Sequence, residues 1–96
     1  MTTRPRITEV VVSPAPAADH ASGLLGFLRF KVDDWLAVDC VNLRRTRAGR
    51  LTLAWPDRRD QSGGRRFPVR PQDERARLAL EAAVFEALDL PAEYRS

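Results

Sequence analysis

Apolar and polar residues alternate in short runs through the first 55 positions, then give way to a helical period near the end. Ile7-Thr8-Glu9-Val10-Val11-Val12 is β-branched and predicts a first strand. Ser13 to Ser22 contains two prolines and no period, which predicts a flexible surface loop rich in Pro and Ala. From Gly23 to Val32 alternation resumes, with Leu24, Leu28, Phe30 and Val32 on one side and Arg29 and Lys31 on the other, as in a half-exposed second strand. Asp33-Asp34 is a tight-turn pair leading to an antiparallel third strand over Trp35 to Leu43. Arg44 to Gly49 turns again, and Arg50 to Trp55 predicts a fourth strand.

Pro56 has no N–H for a sheet ladder and closes that strand. After Asp60-Gln61-Ser62-Gly63-Gly64, a turn, Arg65 to Arg70 reads as a short extended segment that Pro68 confines to a sheet edge. Ala76, Ala79, Leu80, Ala83, Val84 and Ala87 then follow helical spacing and predict a helix over 73–88 whose apolar stripe covers the sheet. Asp73 and Glu74 suit its positive end, and Pro91 lies beyond its other end. Leu78 and Phe85 fall on a second face, available to the chain's tail or to another subunit. The pattern predicts one α+β domain over 1–96: a small antiparallel sheet of four to five strands within 7–70, and a C-terminal helix packed on it.

The chain has 96 residues, enough to bury about 60–65% of the surface exposed when unfolded, so a homo-oligomer would add stability. Its single cysteine excludes an intramolecular disulfide, and with no apolar run of signal or membrane-span length the expectation is a soluble cytoplasmic protein. Net charge is +3, unevenly spread. Residues 1–43 carry four basic and five acidic side chains, residues 44–70 nine arginines and two aspartates, and residues 71–96 three basic and six acidic. Guanidinium suits bidentate phosphate contact and base stacking, so the clustering points to a polyanion.

Catalytic chemistry is sparsely supplied, and the expectation is a non-enzymatic protein with no metal, cofactor or small-molecule substrate. His20, the only histidine, lies in the Pro-Ala loop and reads as a solvated loop residue. Gly63-Gly64 lacks the Lys-Ser/Thr of a phosphate loop. Cys40, between Val38 and Val41, reads as a buried, inert thiol. Asp33-Asp34 is explained by its turn, and Asp39 by an exposed or hydrogen-bonded strand position. Trp35 and Trp55 are open to two readings, core packing or stacking on unpaired bases, and the register of Trp55 with Leu51 and Leu53 favours core.

Arginine is what remains. Arg58-Arg59 and Arg65-Arg66 stand at opposite ends of one connection and can converge. Arg44-Arg45-Arg47 belong to the preceding turn, expected one strand length away, roughly 17–20 Å. An extended polyanion could meet both.

Several of these marks occur in a familiar order. An Ile-Thr-x-Val strand (Ile7-Thr8-Glu9-Val10) precedes an Asp turn and a strand with a central Asp (Asp33, Asp39). A glycine turn then leads to a strand ending Ala-x-Pro (Ala54-Trp55-Pro56), followed by a basic pair (Arg58-Arg59), Gly64-Arg65, a proline, and a helix with Ala83-Val84-Phe85. From Gly23 to about Phe85 this order resembles the SpoVG family, the stage V sporulation protein G or septation regulators of bacteria. The resemblance implies a homodimeric regulator that binds DNA or RNA, with the basic residues after Ala-x-Pro at the nucleic acid, here Arg58 and Arg59. Arg65 and Arg66 join them by position. The chain departs from the pattern in its longer Pro-Ala loop, its acidic helix, and the flanking Asp57 and Asp60, which are expected to neutralise part of the Arg58-Arg59 charge. The rival from another class is a protein-interaction module whose basic face or edge strand docks an acidic or β-strand partner.

Overall fold

A computed structural model describes residues 4–88. Strand β1 (Ile7–Pro14) is followed by a single helical turn, α1 (Ala17–His20), then by β2 (Leu24–Val32), β3 (Leu36–Arg45) and β4 (Leu51–Ala54). These four strands form an antiparallel meander in the order β1-β2-β3-β4. Two-residue strands β5 (Arg58–Arg59) and β6 (Arg65–Arg66) pair separately, and α2 (Glu74–Ala87) closes the described chain. The fold is α+β, with strands first and the long helix last.

One face of the sheet is buried beneath α2. Leu28, Phe30, Val41, Leu43 and Val84 have relative exposures below 2% or at it. Leu25, Val38, Leu53 and Leu88 complete the cluster, and Trp55 packs its ring edge-on to Phe30 at 6.3 Å. Trp55 is thus on the core side, as its register predicts. Trp35, in the β2–β3 connection, is 90% exposed. The connection spans Asp33 to Trp35 between paired Val32 and Leu36; Asp33 and Asp34 both take positive φ (53° and 58°), and the Trp35 N–H donates to the Val32 carbonyl at 3.0 Å.

The Pro-Ala stretch at 13–22, read as a loop, contains the end of β1 and all of α1. Ala15 is buried and its N–H donates to the Leu25 carbonyl, so an apolar methyl and a backbone bond tie the stretch to β2. Pro14 is tolerated in β1 because that strand lies at the sheet's edge.

Cys40 corrects another expectation, for its thiol is exposed rather than buried. The register with β2 passes from Leu28↔Val41 to Phe30↔Val38, so β3 holds one extra residue there. Cys40 takes φ 62° in this bulge, and its N–H donates to its neighbour Asp39 Oδ1 at 2.7 Å. The bulge shifts alternation by one position and turns out a side chain that period two would put inside.

The helix stripe follows the sequence expectation through Ala76, Ala79, Leu80, Ala83 and Val84, all buried or half-buried, and departs from it at the helix end. Glu81, Ala83, Val84 and Leu88 are buried, Ala87 is exposed, and Phe85 packs against the core instead of facing a tail or partner. Leu78 alone of the second-face pair is exposed. Glu81 is buried because it has work at the sheet's edge. Its Oε2 accepts from the Thr52 hydroxyl (3.1 Å), the Leu53 N–H (3.2 Å) and Arg77 Nη1 (3.1 Å). Glu81 thus takes the Leu53 N–H, and among the described residues no fifth strand extends the sheet past β4. The Arg65–Arg70 segment, expected at that edge, pairs only with β5.

Candidate nucleic-acid interface

The main sheet ends at Ala54, and Pro56 lies between it and the β5–β6 hairpin. Residues 57–59 and 61–70 are all exposed, so no apolar burial holds them in place. Polar contacts do so instead. Asp60 donates its N–H to the Gly64 carbonyl and accepts the Gly63 N–H on its own carbonyl, closing the turn. Asp60 Oδ1 accepts from the Ser62 hydroxyl (2.7 Å), the Ser62 N–H (3.0 Å) and the Gly64 N–H (2.7 Å). The Ser62 hydroxyl, and then the Gly64 N–H, hold this carboxyl below its ordinary range. Gly63 adopts φ +85°, which side chains other than glycine rarely take.

The register pairs Arg58 with Arg66 and Arg59 with Arg65. All four arginines named from the sequence therefore stand side by side on one two-stranded element. By strand alternation Arg58 and Arg66 share one face, Arg59 and Arg65 the other. Opposed like charges destabilise a hairpin, and the two aspartates offset this. Arg65 Nε donates to Asp57 Oδ2 at 2.7 Å, and Arg66 Nε to Asp60 Oδ2 at 3.2 Å. Arg59 Nη1 donates to the Gly63 carbonyl at 2.9 Å. Among the described residues the Arg58 guanidinium has no partner.

This arrangement alters one expectation from the sequence. Asp57 and Asp60 bridge across the hairpin to Arg65 and Arg66, leaving Arg58 and Arg59 without carboxylate partners among the described residues. The bridged pair is not lost as a charged surface, since each guanidinium has several donors and uses one here. Arg65 also lies over the Phe67 ring, 5.2 Å from its centroid, and Phe67 is itself 39% exposed. A cation stacked on an open aromatic ring is a flat platform of the kind that accepts an unpaired base.

β4 has four residues rather than six, so its ends lie about 10 Å apart by strand rise. Arg44 Nη2 donates to the Ser22 carbonyl at 2.9 Å, fastening β3 to the end of α1. His20, read as a solvated loop residue, is half-buried beside Arg45 and Arg47. Its position follows from α1, a single helical turn that was not legible just after two prolines.

Glu81 was the other residue missed. Its sequence signal is a carboxylate four residues after Arg77 and three before Val84, on the helix face that the apolar pattern buries. No group of three or more His, Cys, Asp or Glu able to hold a metal occurs among the described residues. Nor is any described helix long and apolar enough to cross a membrane. No protein-family model matches the chain, and no curated protein matches it.

Proposed function

We propose that this chain is a cytoplasmic, non-enzymatic nucleic-acid-binding regulator of the SpoVG type, a homodimer that contacts DNA or RNA through Arg58, Arg59, Arg65 and Arg66. One observation carries the reading: two Arg–Arg cross-strand pairs stand opposed on an exposed hairpin that adds nothing to the core. Such pairing opposes folding, whereas a phosphate backbone would relieve it. The Arg65–Phe67 stack and the partnerless Arg58 add base and phosphate contacts to the same element.

A second reading rests on a different place. Trp35 and Leu36, 90% and 61% exposed beside Asp33 and Asp34, form an apolar tip suited to a protein partner rather than to a polyanion. Salt separates the two readings. A labelled single-stranded oligonucleotide should bind at low ionic strength and be released steeply as salt rises. Absence of binding to any single- or double-stranded nucleic acid at low salt would give the lead to the protein-interaction reading. Assembly is tested by sedimentation at about 100 μM, where a dimer with a dissociation constant of about 10 μM or tighter is mostly associated. A single 10.8 kDa species would contradict the homodimer.

A further inference from the structure

We propose that the hollow between the end of α1 and the β3–β4 turn is a binding site for a phosphate group. It involves none of the four hairpin arginines and so stands apart from the function proposed above. The hollow measures about 490 Å³, and its walls include His20, Ser22, Gly23, Arg45, Thr46 and Arg47. Among the described residues no acidic side chain lines it.

The backbone is built to bring these residues together. The Gly23 N–H donates to the His20 carbonyl at 3.0 Å, and the Arg45 N–H donates to the Gly23 carbonyl at 2.7 Å. Gly23 has φ +97°, and a Cβ there would sit 2.6 Å from the Arg45 carbonyl oxygen. Only glycine permits this approach of the α1–β2 junction to the end of β3. Arg44, bonded to the Ser22 carbonyl, closes the same seam from its other side.

The seam leaves a concave group of donors. His20 and Arg45 are half-buried and engaged by other groups in the chain, which limits their freedom before any ligand arrives. Arg47 is exposed and has no partner among the described residues. Thr46 Oγ1 accepts the Arg50 N–H at 3.1 Å, and its hydroxyl keeps a proton to donate. The exposed Arg47 guanidinium, beside the engaged Arg45 and His20 and the Thr46 hydroxyl, gives the hollow a positive, donor-bearing wall of the kind that suits the several oxygens of a phosphate. The source is either free phosphate and its small esters or a phosphodiester in a nucleic-acid strand.

The single histidine supplies the reporter. In the full chain, the His20 ring gives one NMR signal, followed while inorganic phosphate is added at fixed pH and ionic strength against chloride, and separately while a single-stranded oligonucleotide is added. The signal should move saturably, and Arg47→Ala, which alters an exposed side chain, should weaken that response about tenfold, as loss of one charge-assisted contact implies, without changing the melting temperature. A response to phosphate identifies free phosphate as sufficient. A response to the oligonucleotide alone, lost in Arg47→Ala, identifies the phosphodiester; both support the site. A His20 signal indifferent to both ligands, or equally responsive in Arg47→Ala, overturns it. An oligonucleotide that binds at the hairpin while the His20 signal stays still in both titrations overturns the site but not the proposed function, whereas a phosphate response without oligonucleotide binding does the reverse.

Discussion

From Leu24 to Leu53 the chain buries leucine, phenylalanine and valine against Val84 and Leu88, while from Asp57 to Arg66 it buries no side chain. The first region is fixed by the removal of apolar surface from water, at roughly 1.5–3 kcal/mol per buried large side chain. The second is fixed by one aspartate capping a turn and two carboxylates bridging to arginines that would otherwise repel. Exposed ion pairs of that kind contribute little, because water and salt screen them. The hairpin is therefore a weakly held, charge-dense element carried by a scaffold that does not depend on it. What perturbs one region should leave the other nearly untouched.

The two tryptophans give the largest contrast. Trp55 packs edge-on to buried Phe30, so Trp55→Ala should lose about 3 kcal/mol of stability, the lower part of the range for aromatic truncation because the ring is partly exposed. Trp35, 90% exposed, should tolerate alanine within about 0.5 kcal/mol. Chemical denaturation of both variants checks the pair. Equal losses would mean that the tip at Trp35 is packed in solution, as by a second copy.

Glu81→Ala comes next. It leaves the Thr52 hydroxyl and the Leu53 N–H without their acceptor and should cost about 1–3 kcal/mol. It also uncovers the outer edge of β4, so sedimentation should show more association than the parent. Loss of stability without added association would limit Glu81 to satisfying those donors.

A smaller and more local effect is expected from acid at the hairpin turn. Because hydrogen bonds from Ser62 and Gly64 depress the Asp60 carboxyl, its contribution is fully present above the unfolded-state value of about 3.9 and is lost as pH falls through the lower folded-state value. The turn should therefore be unchanged from neutral pH down to about 4 and open below it. Amide exchange at Ser62 and Gly64, compared with Asp60→Asn at neutral pH, reads this directly. An acid response equal in parent and variant would remove Asp60 as its cause.

Much of the scaffold was legible because period two and period 3.6 are short-range signals. The Asp33-Asp34 hairpin, the meander and the core placement of Trp55 all follow from local spacing. Cys40 was misplaced because a bulge is a property of paired strands: one extra residue in β3 relative to β2 cannot be seen in β3 alone. The α1 turn was hidden for a similar reason, since the buried Ala15 and its bond to Leu25 belong to the tertiary fold. At the candidate site, proximity of Arg58-Arg59 to Arg65-Arg66 was readable from one connecting loop. The assignment of each aspartate was not, because it depends on hairpin register: Asp57 meets Arg65, eight residues on, and Asp60 meets Arg66, six residues on. The 65–70 segment pairs with β5 rather than with the sheet, where Glu81 already accepts the Leu53 N–H of β4.

The central claim is that the arginine hairpin carries nucleic-acid contact and little stability, and the double substitution Arg58→Ala, Arg59→Ala tests it most directly. Thermal melting and oligonucleotide affinity are measured for parent and variant across several salt concentrations. The melting temperature should be nearly unchanged, affinity should fall, and the slope of log affinity against log salt should flatten by about 1.4 for a single strand or about 1.8 for duplex DNA, the loss of two phosphate contacts. Parent-like affinity with a parent-like salt slope would contradict the account.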